Sequence, residues 1–194
     1  VCFGLCASSV YVANDLLDVM DDRRHPSKSA RPFASGNLSL LQGALVSPLL
    51  LILGVSLGGL LVSPSFGLVL AVYALVSSLY SFSLKKYAVI DVLTLAMLYT
   101  LRLTAGAVAV QLPLSFWMLA FSLFLFLSLA FCKRYAELLR VKPIDGEVKA
   151  LGRGYVASDM GLISSMGVAA GYLSVLVVAL YINDTATLKL YPDS

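Results

Sequence analysis

Asn14, Asp15, Asp18 and Asp22 place an amide and three carboxylates at the end of an otherwise apolar stretch. At ~100° per residue, the i, i+3, i+7 spacing brings Asp15, Asp18 and Asp22 within about 60° of one another on one helical face. Like charges stacked this way repel, so the pattern calls for a cation. Hard oxygen donors suit Mg²⁺ or Ca²⁺, and Mg²⁺ keeps positions open for water and substrate phosphates. Arg23, Arg24, Lys28 and Arg31 follow directly, a supply of phosphate-binding cations. Asp15, Asp18 and Asp22 are therefore the predicted metal ligands and catalytic residues, with Lys28 and Arg31 on the phosphate oxygens. The competing reading, solvated charges at a helix end, is disfavoured: carboxylates there oppose the helix dipole, and the cytoplasmic leaflet is itself anionic. Asp21 lies ~100° off the acidic face. His25, the single histidine, reads as a surface residue.

Three further groups carry charge into apolar sequence. Tyr80 with Lys85 and Lys86 forms either a phosphate contact or an interfacial anchor of an aromatic and a snorkelling lysine. Asp91 and Arg102 lie on nearly one helical face but ~16 Å apart along it, so they do not pair directly. Ionisable groups inside a span are costly without a partner or water. Lys133, Arg134, Tyr135 and Glu137 end another apolar run; a Lys133–Glu137 pair at i, i+4 is the structural alternative to a substrate contact.

The elements that must position these groups are membrane helices. Of the 194 residues 59% are hydrophobic and 13% charged, with a mean hydropathy of +0.89, which excludes an ordinary soluble domain. Windows of ~20 residues give six spans, roughly Val1–Asp21, Leu38–Val62, Phe66–Leu84, Tyr87–Val110, Leu114–Val141 and Ser158–Asn183. Apart from Arg102 and Lys189, every Lys and Arg falls at the end of the fifth span or after the first, third or fifth. That alternation is the positive-inside pattern and turns the acidic face to the cytosol. The connections after spans one and five are long, and loops of such length in compact proteins are usually functional or disordered. The first, Arg23 to Asn37, contains Pro26, Pro32 and Gly36 together with Phe33 and Ala34, so it is expected to fold back over the helix ends. The second holds Lys142, Pro143, Asp145, Gly146, Glu147, Lys149, Gly152 and Arg153. Cys2, Cys6 and Cys132 have no metal or disulfide spacing and read as packing residues. Gly54-x-x-x-Gly58 and Gly167-x-x-x-Gly171 point to close helix contacts.

Asn14-Asp15-x-x-Asp18-x-x-x-Asp22, then Pro26-x-Lys28-x-x-Arg31-Pro32 and Gly36, resembles the first aspartate-rich motif of the UbiA superfamily of intramembrane prenyltransferases. The likeness extends through Tyr80 to Lys86 and Leu101-Arg102-x-x-Ala105-Gly106. It implies an all-α membrane bundle of about nine helices, of which residues 1–194 would form a single-domain fragment with one helix missing before it and about two after. It also implies Mg²⁺ on a diphosphate held by Asn14, Asp15, Asp18 and Asp22. The chain departs from the family's aromatic prenyltransferases at the fifth span, where a second aspartate-rich motif is replaced by Lys133-Arg134-Tyr135-Ala136-Glu137. Two cations and one carboxylate suit an additional phosphate group. This resembles the branch that transfers phosphoribose from phosphoribosyl pyrophosphate (PRPP) to a polyprenyl phosphate, the decaprenyl-phosphate phosphoribosyltransferases; Arg153-Gly154-Tyr155 is similar too. The expected partners are the membrane, a polyprenyl lipid and a diphosphate-bearing small molecule, and not nucleic acid. Prenyl transfer to an aromatic acceptor such as 4-hydroxybenzoate is the alternative within the family, and an ion-binding transporter the alternative outside it.

Overall fold

The structure, a computed structural model, describes residues 1–24, 28–140 and 154–184. His25, Pro26, the loop residues Lys142 to Arg153 and Lys189 lie outside the described residues. The chain divides into two compact units: Val1–Ser83 with Thr104–Leu112, and Leu84–Leu103 with Pro113–Ser194.

The first unit contains α1 (Cys2–Leu17), α2 (Val19–Arg24), α3 (Leu40–Leu61) and α4 (Pro64–Phe82). α3 starts at a reciprocal cap. The Ser39 hydroxyl accepts from the Gln42 N–H at 3.2 Å, and the Gln42 side chain accepts from the Ser39 N–H at 3.1 Å. α4 starts at Ser63, which accepts from the Phe66 N–H, with Pro64 opening the helix where a missing N–H costs nothing. α3 is apolar all round, and Leu41, Leu45, Leu49 and Ile52 stay exposed on its surface. Twenty-two residues rise ~33 Å, enough to cross a hydrocarbon core of ~30 Å. Its inner face is made of small residues. A Cβ on Gly54 would lie 2.6 Å from Cys6 Sγ on α1, and one on Gly58 would lie 2.7 Å from Leu70 on α4. Ser9 and Ser47 cross-link α1 and α3, each hydroxyl donating to the other's carbonyl at 2.6 and 3.0 Å.

The second unit contains the first part of α5 (Ile90–Ala109), α6 (Phe116–Arg140) and α7 (Met160–Ile182). Gly167 and Gly171 let α7 approach Phe131 and Ser128 of α6, where the Ser128 hydroxyl donates to the Gly167 carbonyl at 2.8 Å. Val92, Phe131, Leu138, Tyr155 and Ile163 form the buried core of this unit. Both GxxxG pairs are thus close-packing sites.

Among the described residues five helices are long and apolar enough to cross a membrane, and the shorter Cys2–Leu17 is a sixth apolar helix. The first span differs from its expected extent because the helix is interrupted at Asp18, whose backbone departs to φ −90°, ψ 4°. Helical bonding resumes at once: the Asp18 N–H donates to Asn14 O at 2.9 Å and the Asp22 N–H to Asp18 O at 2.8 Å. The three free cysteines form no cluster, and Cys6 is buried as a packing residue.

Candidate active site

The acidic site begins with that interruption. Asp15 stands on the last turn of α1 and Asp22 on α2, and both carboxylates meet Arg31. Its Nη1 donates to Asp15 Oδ1 and to Asp22 Oδ2, each at 2.8 Å. Asp22 is buried, its side chain 4% exposed, whereas Arg31 and Asp15 retain 38% and 30%. Asp18 turns to Asn14, whose Nδ2 donates to Asp18 Oδ2 at 3.2 Å.

Arg31 is held there by the loop that follows α2. A 3₁₀ turn at Lys28–Ala30 leads into Arg31, whose N–H donates to Lys28 O, and the Ser35 N–H donates to Arg31 O. Arg23 Nε donates to Ala34 O at 3.2 Å, tying the loop to α2. Phe33 is buried between α1 and the start of α3: a Cβ on Gly43 would lie 2.8 Å from its ring and 3.0 Å from Leu16. Gly36, at φ +82°, supplies the left-handed turn that returns the chain to α3. The loop does fold back over the helix ends, and Phe33 is its anchor.

Among the described residues no three His, Cys, Asp or Glu side chains close on one point tightly enough to hold a metal alone. Two do converge on a single positive charge, Asp15 and Asp22 on Arg31. Two carboxylates with substrate phosphate completing the shell are the donor set Mg²⁺ commonly takes, so these residues fit that ion. Lys28 is exposed, and its charge, with those of Asp18, Asp22 and Arg31, acts on Asp15.

The second unit contains a different ionic arrangement. Arg134, 1% exposed, forks onto fully buried Asp91 through Nε and Nη2, the latter at 3.2 Å from Oδ1. Its Nη1 donates to Glu137, whose side chain is 40% exposed. The sequence left a Lys133–Glu137 pair at i, i+4 as the alternative to a substrate contact; Glu137 accepts from Arg134 at i, i+3. The sequence also pointed to Arg134 as a phosphate clamp, but this guanidinium is enclosed between two carboxylates. Lys133 is exposed on α6. Spacing along one helix could not reveal the Asp91–Arg134 pair, since its members are 43 residues apart. The available signal was two opposite charges in separate apolar spans, each needing a partner. Arg102 lies 5.1 Å over the Tyr99 ring, which stacks on Phe126. Tyr80 is half-buried on α4 of the first unit, while Lys85 lies in a 3₁₀ turn, Leu84–Lys86, of the second.

The sequence profile of the UbiA prenyltransferase family matches residues 1–186. The chain belongs to the UbiA prenyltransferase family. It is 39% identical over 185 residues to the nodulation protein NoeC of Azorhizobium caulinodans, covering 93% of this chain and 58% of NoeC. It is 36% identical to y4nM of Sinorhizobium fredii, covering 93% of this chain and 34% of that one. It is 33% identical over 172 residues to a decaprenyl-phosphate phosphoribosyltransferase of Mycobacterium tuberculosis, covering 88% of this chain and 56% of the relative. The chain thus spans from a third to somewhat over half of these proteins. Its UbiA-family membership and its apolar helices make it a multi-pass membrane protein.

Proposed function

We propose that the protein is a Mg²⁺-dependent membrane transferase that moves phosphoribose from PRPP to a polyprenyl phosphate and releases diphosphate. The observation that carries this reading is the convergence of Asp15 and Asp22 on the half-exposed side chain of Arg31. Asp15 and Asp22 would hold Mg²⁺, with Asp18 and Asn14 beside them. Bound there, the ion supplies charge neutralisation to the departing diphosphate. Arg31 donates to the diphosphate oxygens and Lys28 adds a point charge, so the chain's own cations stabilise the charge that develops. The bond from the anomeric carbon to the diphosphate oxygen breaks, and its electron pair leaves with the diphosphate. An oxygen of the polyprenyl phosphate forms the new bond to that carbon. A phosphate-monoester nucleophile needs no proton removed, and none of the assigned side chains is required as a general base.

The choice of donor is supported by the end of α6, where Lys133 and Glu137 stand in place of a second aspartate cage, and by the decaprenyl-phosphate phosphoribosyltransferases among the relatives. Lys133 is assigned to the donor's additional phosphate, and Tyr80 and Lys85 to phosphate contacts. The apolar helix faces suit a polyprenyl chain, and the basic loops support a site on the cytosolic side.

Membranes containing the full-length protein, supplied with Mg²⁺, polyprenyl phosphate and labelled PRPP, should form labelled lipid. Asp22→Asn should lower the rate by about a hundredfold or more, the scale of losing a charge-stabilising group. Unchanged turnover in Asp22→Asn overturns the assignment of the site. Product formed only from an isoprenyl diphosphate and 4-hydroxybenzoate moves the protein to the aromatic branch.

A further inference from the structure

The corner that precedes α5 is held in a conformation its own residues do not favour. Val89 has φ +66°, the left-handed region, which is a pronounced outlier for a β-branched side chain. Its N–H donates to the Tyr155 hydroxyl at 2.8 Å. Tyr155 is 2% exposed, its ring packed in the core with Val92, Phe131, Leu138 and Ile163. The residue before it fits the same corner: a Cβ on Gly154 would lie 2.5 Å from Lys86 O and 3.0 Å from Ala88 N. The residue after it is fixed as well, because the Val156 N–H donates to Asp159 at the start of α7. Gly154–Val156 is thus a short strap, anchored at α7, that lies on the backbone of residues 86–89. In sequence Lys85 directly precedes that backbone, and Asp91, locked by Arg134, follows it.

We propose that Tyr155 is a positioning residue: its hydroxyl holds Val89 in the left-handed conformation and so sets Lys85 for the phosphate of the donor. The role of Lys85 rests on the transfer proposed above; the hold on the corner does not. Without the phenolic oxygen, the N–H of Val89 loses its partner, and the strain of the left-handed conformation favours relaxation of the corner to negative φ. Glycine takes φ +66° freely, so it removes the need for the hold.

The test uses the full-length protein in nanodiscs. Tyr155→Phe should raise KM for PRPP about tenfold, a change of about 1.4 kcal/mol, with kcat little altered. Adding Val89→Gly should bring KM back toward the wild-type value. In a Lys85→Ala background Tyr155→Phe should add nothing further, because its effect passes through Lys85. Amide exchange of the peptide covering residues 84–91 should be faster in Tyr155→Phe, a readout independent of activity. A KM that Val89→Gly does not recover, or effects of Tyr155→Phe and Lys85→Ala that simply add, overturns the positioning role. Unchanged exchange over 84–91 overturns the hold itself. If wild type turns over no PRPP, the transfer proposal fails, and the exchange measurement alone decides whether Tyr155 holds the corner.

Discussion

Arg31 and Arg134 each hold two carboxylates, and their surroundings give those similar contacts opposite consequences. Arg31 is 38% exposed, so its pair with the part-exposed Asp15 is exchanged for another anion at little cost, about 0–1 kcal/mol for ion pairs in such surroundings, while buried Asp22 keeps a greater need of its counterion. Arg134 is 1% exposed, and removing it leaves Asp91 charged in an apolar interior, a loss of about 3–5 kcal/mol. Arg134→Ala should therefore lower the thermal midpoint of the purified protein by roughly 10 °C, while Lys133→Ala moves it by about 2 °C or less. Equal midpoints for the two variants would remove the structural role of the buried pair. The acidic cluster was legible in the sequence because Asp15, Asp18 and Asp22 obey local helical spacing. Which carboxylates meet at one cation was not, since that depends on the turn at Asp18 and on a loop folding back. The Asp91–Arg134 pair joins two spans and is set by tertiary packing alone.

At the level of elements, the loop between α2 and α3 places Arg31, and Phe33 places the loop. Its ring fills a recess that exists because position 43 has no side chain. Gly43→Val puts carbon where the ring lies, and the ring must leave. The loop then shifts and takes the guanidinium away from Asp15 and Asp22. Under the proposed transfer, apparent affinity for PRPP should fall about tenfold or more, since misplacement by ~1 Å is enough to cost a hundredfold in a positioned site. Gly36→Ala strains only the turn at φ +82° and should cost less. If Gly43→Val binds PRPP as wild type does, Phe33 is not what sets Arg31. The helix boundaries followed from hydropathy to within a few residues, because lipid selects long apolar runs and the Ser39 and Ser63 caps mark their starts. The break at Asp18 carries no Pro or Gly signal, so an apolar run that ends in carboxylates read as one helix.

Across the whole molecule, the basic residues impose an orientation that the helices alone do not. Cationic connections alternate with uncharged ones, that at Val62 and Ser63 and that at Gln111 to Pro113 among the latter. In a full-length variant lacking Cys2, Cys6 and Cys132, single cysteines at Ser35 and Ser65 should report opposite sides. An impermeant thiol reagent added to intact cells should label Ser65→Cys and leave Ser35→Cys unmodified until the cells are opened. Labelling of Ser35→Cys in intact cells would place the Asp15–Arg31 site on the outer face and exclude a cytosolic sugar phosphate as its donor.

The bridge from Arg31 to Asp15 and Asp22 also sets an order of events. The two carboxylates already have a counterion belonging to the same chain, so a divalent cation arriving alone competes with a tethered guanidinium at high effective concentration. A phosphorylated ligand changes that contest by offering Arg31 a second anion. Ligand and metal then favour each other's binding by the same factor, as linkage requires. Under the proposed function, such a site would discriminate between a bare ion and an ion that comes with its substrate.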